Sequence, residues 1–431
     1  MNPFEFDDYH DQINNILHFF KPSLRNLRQL VIILFISICV GVVSGSCGVL
    51  FHKLVEIVTE FRTDNPNIIF LLPAGGLFIV FLYRITGQYD NRGTNLILSS
   101  IQSNDFIPFR VMPLIFISTI TTHLFGGSVG SEGAAMQIGG SIGETIAIHT
   151  KMDDDDKHIL IMCAMSACFS AVFGTPLAAA VFSMEVVSIG MMHYAALIPC
   201  VAASEVAYII SGHFGNTGNH FTISEIPAFS TVSAGKIILA SVLFAGASVL
   251  FCIFMHIAEH TAKKYFQNPY IRVVVGALLI IALTFIFRSR DYLGAGFPMI
   301  YKCFEEGNIP FYAFLLKILF TGITISCGFR GGEIVPSFFT GATLGCFIGP
   351  ILGLPYSLSA ACGMAGVFCG VTNCPITSLL IAFEMFGFDG ALYFLLSIAV
   401  CYMLSGYYGL YSSQKIVYSK YHEKIINRFT H

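Results

Sequence analysis

The sequence predicts an all-α polytopic membrane protein made of short and broken helices. Only 11% of its 431 residues are charged and 55% are hydrophobic, whereas a soluble domain carries about 25% charged residues. Forty glycines and several prolines interrupt the apolar runs, as in GTPLAAA and NCPITSLL. Six segments lack Asp, Glu, Lys and Arg and approach or exceed the ~20 residues that span a bilayer: 30–51, 111–131, 159–184, 237–258, 334–383 and 390–414.

The composition also excludes several classes of function. The formal net charge of −3 and the scattered basic residues do not indicate nucleic-acid binding. The thirteen cysteines lie mostly in apolar runs without the spacing of a zinc site or a disulfide framework, so we expect reduced packing residues and no metal or cofactor. Broken helices at membrane depth are tolerated where they line a polar cavity, and transporters build their ion sites from them.

Charges at the two ends predict the orientation. The acidic, polar N-terminus lacks the basic start and short apolar core of a cleavable signal peptide, so we expect the first span to be retained. Basic residues flank the first and last spans, which places both termini in the cytoplasm and predicts an even number of crossings. These residues are Lys21, Arg25, Arg28, Lys415, Lys420, Lys424 and Arg428.

Two halves of the chain resemble each other. AMSACFSAVFGTPLAAAVFSME aligns without gaps with GMAGVFCGVTNCPITSLLIAFE, and the glycines of IGGSIG align with those of TGATLG. Membrane helices share Gly, Ala and Phe, but ordered matches at nearly one offset favour a duplication. We therefore expect a cytoplasmic segment 1–28, a first membrane repeat 29–217, a linker 218–231 and a second membrane repeat 232–431, with no cytoplasmic C-terminal domain.

One acid, Glu132, stands inside the uncharged stretch GGSVGSEGAAMQIGG. A charge at the bilayer centre costs ~3 kcal/mol or more, so an intramembrane carboxylate indicates function. Its small neighbours expose N–H groups at a helix start, which favours an anion there. We predict that Glu132 is a tethered anion that competes with a dissolved one and releases the site when protonated; the alternative is a capping Glu with a polar partner. The neighbours are Gly130, Ser131, Gly133 and Ala134.

The second half repeats this design, and a third helix start adds donors. In GGEIVP, two glycines precede Glu333 and Pro336 suits a first helical turn, which predicts a second buried acid. In RGTNLILSS, Thr94 and Asn95 follow Gly93 and offer a hydroxyl and an amide. Thr and Asn are also ordinary helix caps, so this segment alone identifies no site.

Together these motifs resemble the CLC family of anion channels and proton-coupled exchangers. GSVGSEGAAMQIGGSIG, GGEIVPSFFTGATLG and the late GLYSS are similar, in order and spacing, to the three anion-path motifs of that family. The resemblance covers most of the chain. It implies two inverted-topology repeats of short tilted helices in the lipid bilayer, a homodimer with one pathway per subunit, and transport rather than enzymatic activity.

The resemblance also implies site residues. Glu132 matches the gating glutamate, and Tyr411 matches the anion-coordinating tyrosine. We assign proton coupling and gating to Glu132 and Glu333. The predicted anion-binding residues are Gly93, Thr94, Asn95, Leu96, Gly130, Ser131, Gly133, Ala134, Gly332, Ile334, Val335 and Tyr411.

Three departures from the chloride-type members indicate which anion is carried. GTNLI (93–97) replaces Gly-Ser-Gly-Ile-Pro, Glu333 stands at an apolar position, and Val186 replaces a second, internal glutamate. All three resemble the divergent bacterial branch that exports fluoride in exchange for protons, which implies a bacterial inner membrane. Fluoride is more strongly hydrated than chloride and demands stronger donors, such as an Asn amide. A chloride/proton exchanger or a passive anion channel of the same fold is the alternative.

Other motifs have simpler interpretations. HIAEH (256–260) matches a zinc-binding pattern, which makes an intramembrane metalloprotease a remote alternative. We favour a polar helix end at the membrane surface, because the segment ends an apolar run and a third ligand is missing. Glu185 and Glu384 close equivalent helices and are expected to be structural or interfacial. The polar segments 151–158 and 211–227 are predicted to be loops.

Overall fold

A computed structural model describes residues 3–88, 92–216, 218–422 and 424–430, with side chains for Leu27 and from Leu30 onward. The described residues form sixteen α-helices, eight in each half. The first half contains α1 Pro3–Asp64, α2 Leu72–Ile85, α3 Thr94–Ser103, α4 Val111–Phe125, α5 Glu132–Thr150, α6 Asp154–Phe173, α7 Pro176–Glu185 and α8 Leu197–His213. The second half contains α9 Thr231–Tyr265, α10 Pro269–Ile286, α11 Phe297–Glu305, α12 Ala313–Ser326, α13 Ile334–Ile351, α14 Tyr356–Thr372, α15 Pro375–Phe386 and α16 Ala391–Leu404.

The two halves place their helices in equivalent positions. α1 packs against α6 and α8, and α9 packs against α14 and α16 in the same way. α5 crosses α6 as α13 crosses α14. A Cβ on Gly139 would lie 2.4 Å from the carbonyl oxygen of Ala164, and a Cβ on Gly341 would lie 2.2 Å from that of Gly363. Glycine therefore recurs because both crossings bring backbone against backbone. The domain boundaries at 217 and 232 stay a prediction.

Many of the helices are long and apolar enough to cross a membrane. Charge-free segments are divided as the prolines predicted: 159–184 contains most of α6 and most of α7, and 334–383 contains α13, α14 and most of α15. Proline begins α7 and α15 because its missing N–H would have no partner there in any case. Seven described segments reach spanning length: Leu30–Asp64, Pro66–Ile85, Asp154–Phe173, Tyr194–His213, Thr231–Tyr265, Pro269–Ile286 and Ile334–Ile351.

The two predicted loops are shorter than expected. The prediction of a loop over 151–158 is wrong for most of that segment, because α6 begins at Asp154. Asp153 caps this helix by accepting a hydrogen bond from the backbone nitrogen of Asp156, 2.9 Å away. Consecutive acids suit a helix start because they interact with its free N–H groups and dipole. The second loop begins only after α8 ends at His213.

Apolar side chains, among them cysteines and phenylalanines, fill the core. Phe173 stacks on Phe338 with ring centroids 5.5 Å apart, and Phe338 packs on Phe368 at 4.9 Å. These contacts join α6 of the first half to α13 and α14 of the second. The thirteen cysteines are free, and all except Cys39 and Cys47 are buried. The burial of eleven of them confirms the predicted packing role.

Glu185 and Glu384 tie the two halves together. The carboxylate of Glu185 accepts hydrogen bonds from the backbone nitrogens of Ile376 (3.1 Å) and Thr377 (2.8 Å) at the start of α15. Glu384 in turn accepts from the backbone nitrogens of Leu177 (2.8 Å) and Ala178 (2.9 Å) at the start of α7. Each acid therefore caps a helix of the other half, which confirms the structural role predicted for both.

A small sheet that the sequence analysis did not predict closes the C-terminal end. Its strands are β1 Ser188–Ile189, β2 Lys415–Tyr418 and β3 Ile425–Phe429, with β2 parallel to β1 and antiparallel to β3. Gln414 donates to the carbonyls of Val186 (3.0 Å) and Thr372 (2.8 Å). Thr430 donates its hydroxyl to the carbonyl of Tyr411 (2.6 Å). The sheet thus holds the Tyr411 backbone against both halves.

Candidate anion and proton site

The starts of α5 and α13 cross each other with their backbones in contact. Gly130 and Gly332 exchange two hydrogen bonds, each backbone nitrogen donating to the other carbonyl oxygen at 2.7 and 2.8 Å. A Cβ on Gly332 would lie 2.6 Å from the backbone nitrogen of Gly133. Glycine is required for so close an approach. We call this contact the glycine crossing; it places the positive ends of two helices side by side.

Glu132 is the first residue of α5, and it is only 2% exposed. Its Oε2 accepts from the backbone nitrogen of Ser131 at 3.0 Å, and its Oε1 accepts from the Ser131 hydroxyl at 3.2 Å. A Cβ on Gly130 would lie 2.6 Å from Oε2, so the carboxylate lies against the glycine crossing. None of the ion pairs between described residues involves Glu132. The carboxylate occupies a helix start where free N–H groups favour an anion.

Glu333 lies at the equivalent place in the second half, directly before α13. It is partly buried, and its side chain makes no capping hydrogen bond to that helix. A Cβ on Gly133 would lie 3.8 Å from the Oε2 of Glu333, so this carboxylate lies beside the start of α5. The two acids therefore flank the same crossing but differ in what holds them.

An inner cavity of about 310 Å³ reaches the crossing from the side of Glu333. Asn95 accepts a hydrogen bond from the backbone nitrogen of Ser413 at 2.9 Å through its Oδ1, which leaves its NH₂ group as the donor that can meet an anion. The buried hydroxyl of Tyr411 has no hydrogen-bond partner among the described residues. The predicted site residues that line this cavity are Gly93, Thr94, Asn95, Glu333 and Tyr411.

An outer cavity of about 640 Å³ reaches the crossing from the side of Glu132. Ser131 and Glu132 lie at its inner end, and Arg62, His123 and Gly296 line its wall. No described residue lines both cavities. The glycine crossing and the two acids thus separate two water-accessible spaces, which is the arrangement that a gated ion path requires.

Seven predicted anion-binding residues line neither cavity: three are the glycines in contact at the glycine crossing, Gly130, Gly133 and Gly332, and the other four carry side chains. Their side chains are buried in the protein, so a part in anion binding would fall to their backbone N–H groups. These residues are Leu96, Ala134, Ile334 and Val335.

Gln137 is a polar residue at the site that the sequence analysis missed. It lines the inner cavity from α5, and its Nε2 donates to the hydroxyl of Thr94 (3.4 Å) and the carbonyl of Gly133 (3.3 Å). Its buried Oε1 has no partner. In the sequence, this residue stands out as an amide five residues after Glu132 among small and apolar neighbours.

HIAEH forms part of the last turns of α9, which continues to Tyr265. His256 and Glu259 line the inner cavity, and Glu259 pairs with Lys263 at 2.7 Å. In the parts of the chain that the structure describes, no group of three His, Cys, Asp or Glu residues could hold a metal ion. The polar helix end is therefore the better interpretation of this motif.

The described residues form sixteen helices in two equivalent halves, with two cavities that meet at crossed helix starts. This arrangement defines a multi-pass membrane protein for ion transport. The chain belongs to the voltage-gated chloride channel family, whose model matches residues 75–406. This match includes both acids and most of both halves, and it confirms the resemblance on which the sequence analysis rested.

Individual relatives agree with this assignment. The chain is 33% identical over 393 residues to a chloride/fluoride channel protein of Pseudomonas syringae pv. tomato, covering 90% of this chain and 87% of that one. It is 26% identical over 388 residues to the H(+)/Cl(-) exchange transporter ClcA of Vibrio cholerae, covering 82% and 81%. The crystal structure of a CLC-type fluoride/proton antiporter superposes with a TM-score of 0.87 at 31% identity, covering 90% and 98%.

Proposed function

We propose that this protein exports fluoride in exchange for protons across a bacterial inner membrane. The observation that carries the proposal is the position of Glu132, whose carboxylate lies over the start of α5 at the inner end of the outer cavity. An ionised carboxylate there competes with an anion for the same N–H groups. A protonated one loses that advantage, so proton binding and anion passage are coupled at one place.

The inner cavity supplies the site where the anion binds before it passes the glycine crossing. Asn95 and Tyr411 present an amide and an unpartnered hydroxyl, both neutral donors that bind a small anion without adding charge. Glu333 lines the same cavity and lies beside the start of α5. This arrangement supports a second proton-carrying role for Glu333, on the side where Val186 offers no carboxylate.

The choice of fluoride rests on the site and on two relatives. Strongly hydrated anions gain more from hydrogen-bond donors, and the Asn95 amide is a donor that the chloride-type signature lacks. A chloride/fluoride channel protein and a fluoride/proton antiporter are both more than 30% identical to this chain. The H(+)/Cl(-) exchange transporter is less similar, at 26%. A chloride/proton exchanger is therefore the second candidate.

The assembly is a homodimer with one pathway per subunit, and both termini lie in the cytoplasm. Both cavities and both acids belong to one chain, so a pathway needs no residue from a second copy. Basic residues near both ends favour the cytoplasmic side. The inner cavity, lined by Ser412 and Ser413 close to the C-terminal sheet, then opens to the cytoplasm.

Ion fluxes from proteoliposomes test the proposal. Vesicles loaded with fluoride or with chloride are diluted into anion-poor buffer, and anion release and internal pH are recorded together. We expect fluoride efflux to drive protons inward against a pH gradient, and chloride efflux to be at least tenfold slower. Proton movement driven equally by chloride would identify a chloride/proton exchanger. Anion release without proton movement would identify a passive channel.

A further inference from the structure

Two basic side chains lie beside the outer cavity without a carboxylate partner. Lys317 is fully buried, and its Nζ donates to the carbonyl oxygens of Tyr292 (3.2 Å) and Gly294 (2.7 Å). Arg62 donates to the carbonyl of His123 at 2.6 Å, and a Cβ on Gly294 would lie 2.8 Å from both of its terminal nitrogens. Neither cation takes part in any of the ion pairs between described residues. Lys317 is buried and Arg62 is partly buried, and removing a charge from water without a counterion is costly, so this pair favours an anion nearby.

His123 adds an unsatisfied polar atom to the same wall. The residue is 1% exposed and lines the outer cavity, and its Nε2 has no hydrogen-bond partner in the described part of the chain. A buried polar atom left unpaired costs ~1–3 kcal/mol. A group bound in the cavity would remove that cost, and the Nε2 can donate to an anion when it carries a proton.

A helix start faces the same space. Gly296, Phe297 and Pro298 at the beginning of α11 line the outer cavity. Gly296 adopts a positive φ of 87°. Gly93, at the start of α3 on the inner cavity, likewise has a positive φ of 58°. A Cβ on Gly296 would lie 3.3 Å from the Nζ of Lys317, so the ammonium group strengthens the positive end of α11.

Apart from Glu132, the acids that line this cavity are exposed or partly buried. Glu56 and Glu60 are exposed on α1, and Asp291 is only partly buried and accepts from the hydroxyl of Ser289 at 2.9 Å. Exposed carboxylates are screened by water and salt, whereas buried cations are screened much less. The wall formed by Arg62, with Lys317 behind it, is therefore positive although exposed acids line the same cavity.

We propose that the outer cavity holds a second anion site, formed by Arg62, His123 and the start of α11, with Lys317 behind its wall. The ligand is a small monovalent anion, and its identity as fluoride rests on the proposed function. The same cavity reaches Ser131 and Glu132, so the site lies on the way from the glycine crossing to the outside. An anion displaced by the Glu132 carboxylate would be held here before release, which opposes its return to the crossing.

Calorimetric titration of the purified protein with sodium fluoride, at ionic strength held constant with sodium isethionate, tests the site. We expect two binding events in the wild type. Arg62→Gln should weaken one of them at least tenfold and leave the other unchanged. Arg290→Gln is the matched control, because Arg290 lines the same cavity but is exposed. An isotherm for Arg62→Gln identical to that of the wild type would overturn the proposal.

Lys317→Met is the second variant, because Arg62→Gln also removes a hydrogen bond to the His123 carbonyl. The Lys317→Met variant deletes the buried charge at similar side-chain length, and it should weaken the same binding event as Arg62→Gln does. If both variants fold and bind fluoride as the wild type does, the cations are structural and the site does not exist. If fluoride and proton fluxes are coupled but the wild type shows only one fluoride-binding event, this site is rejected and the proposed function stands. Two binding events without proton coupling would reject the proposed function and retain the site.

Discussion

Glu132 and Glu333 occupy equivalent places in the two halves but are held differently. Glu132 is buried, lies on the outer cavity and accepts two hydrogen bonds from Ser131. Glu333 is partly buried, lies on the inner cavity and makes no capping hydrogen bond. A duplicated motif has thus produced one acid that Ser131 holds by two hydrogen bonds and one that makes no capping hydrogen bond to its helix. We expect Glu132 to gate the path and Glu333 to supply Glu132 with protons.

The largest effect is expected from Glu132→Gln. The amide keeps the shape of the side chain but can neither ionise nor carry a proton, so proton movement driven by a fluoride gradient should fall to the background of empty vesicles. Fluoride flux should persist if the neutral amide leaves the start of α5 and slow if the amide stays there. Parallel recording of internal pH and fluoride decides the outcome. Proton uptake that survives in this variant would make Glu132 a structural residue.

Glu333→Gln should give the next largest effect. We expect a folded protein whose proton and fluoride fluxes both fall at least tenfold, which corresponds to ~1.4 kcal/mol in the barrier. A mere cap predicts normal fluxes and a stability loss of ~1 kcal/mol at most. Both fluxes and the thermal midpoint should be measured on the same preparation. Glu259→Gln is the control, because Glu259 lines the same cavity but is exposed; a normal Glu333→Gln would remove the functional difference between the halves.

Asn95→Gly should change selectivity more than rate. The variant removes an amide donor from the inner cavity and frees the backbone nitrogen of Ser413. One hydrogen bond contributes ~0.5–1.5 kcal/mol, so the ratio of chloride to fluoride flux should rise roughly two- to tenfold. Ser413→Ala is the control, since it keeps the backbone nitrogen that Asn95 contacts. An unchanged ratio in a folded Asn95→Gly protein would remove the start of α3 from the account of selectivity.

The smallest effects on transport are expected from Glu185 and Glu384, each of which caps a helix of the other half. Glu185→Gln loses part of a buried carboxylate's hydrogen bonding to Ile376 and Thr377, which should cost ~1–3 kcal/mol of stability. Glu384→Gln should cost less, because Glu384 is more exposed. Neither should change the number of protons moved per fluoride. Altered coupling in a stable Glu185→Gln protein would show that Glu185 carries protons.

Much of this protein is predictable from local sequence. The charge-free segments, the prolines that begin α7 and α15, and the lone acid in GGSVGSEGAAMQIGG each reflect an energetic constraint that acts over a few neighbouring residues. A membrane excludes unpaired charge and unpaired backbone, so their positions indicate the fold and the site at once. The repeat then shows that a second acid, Glu333, stands in the equivalent place.

The tertiary structure decides everything that depends on contacts between distant segments. The glycine crossing, the capping of α15 by Glu185 and of α7 by Glu384, and the sheet around β2 join residues far apart in the chain. Lys317 is a lone charge in an apolar helix, and its meaning emerges only when folding places Arg62 and the start of α11 beside it. Periodicity and composition cannot supply such contacts, because they result from the packing of two halves that each bury the helix starts of the other.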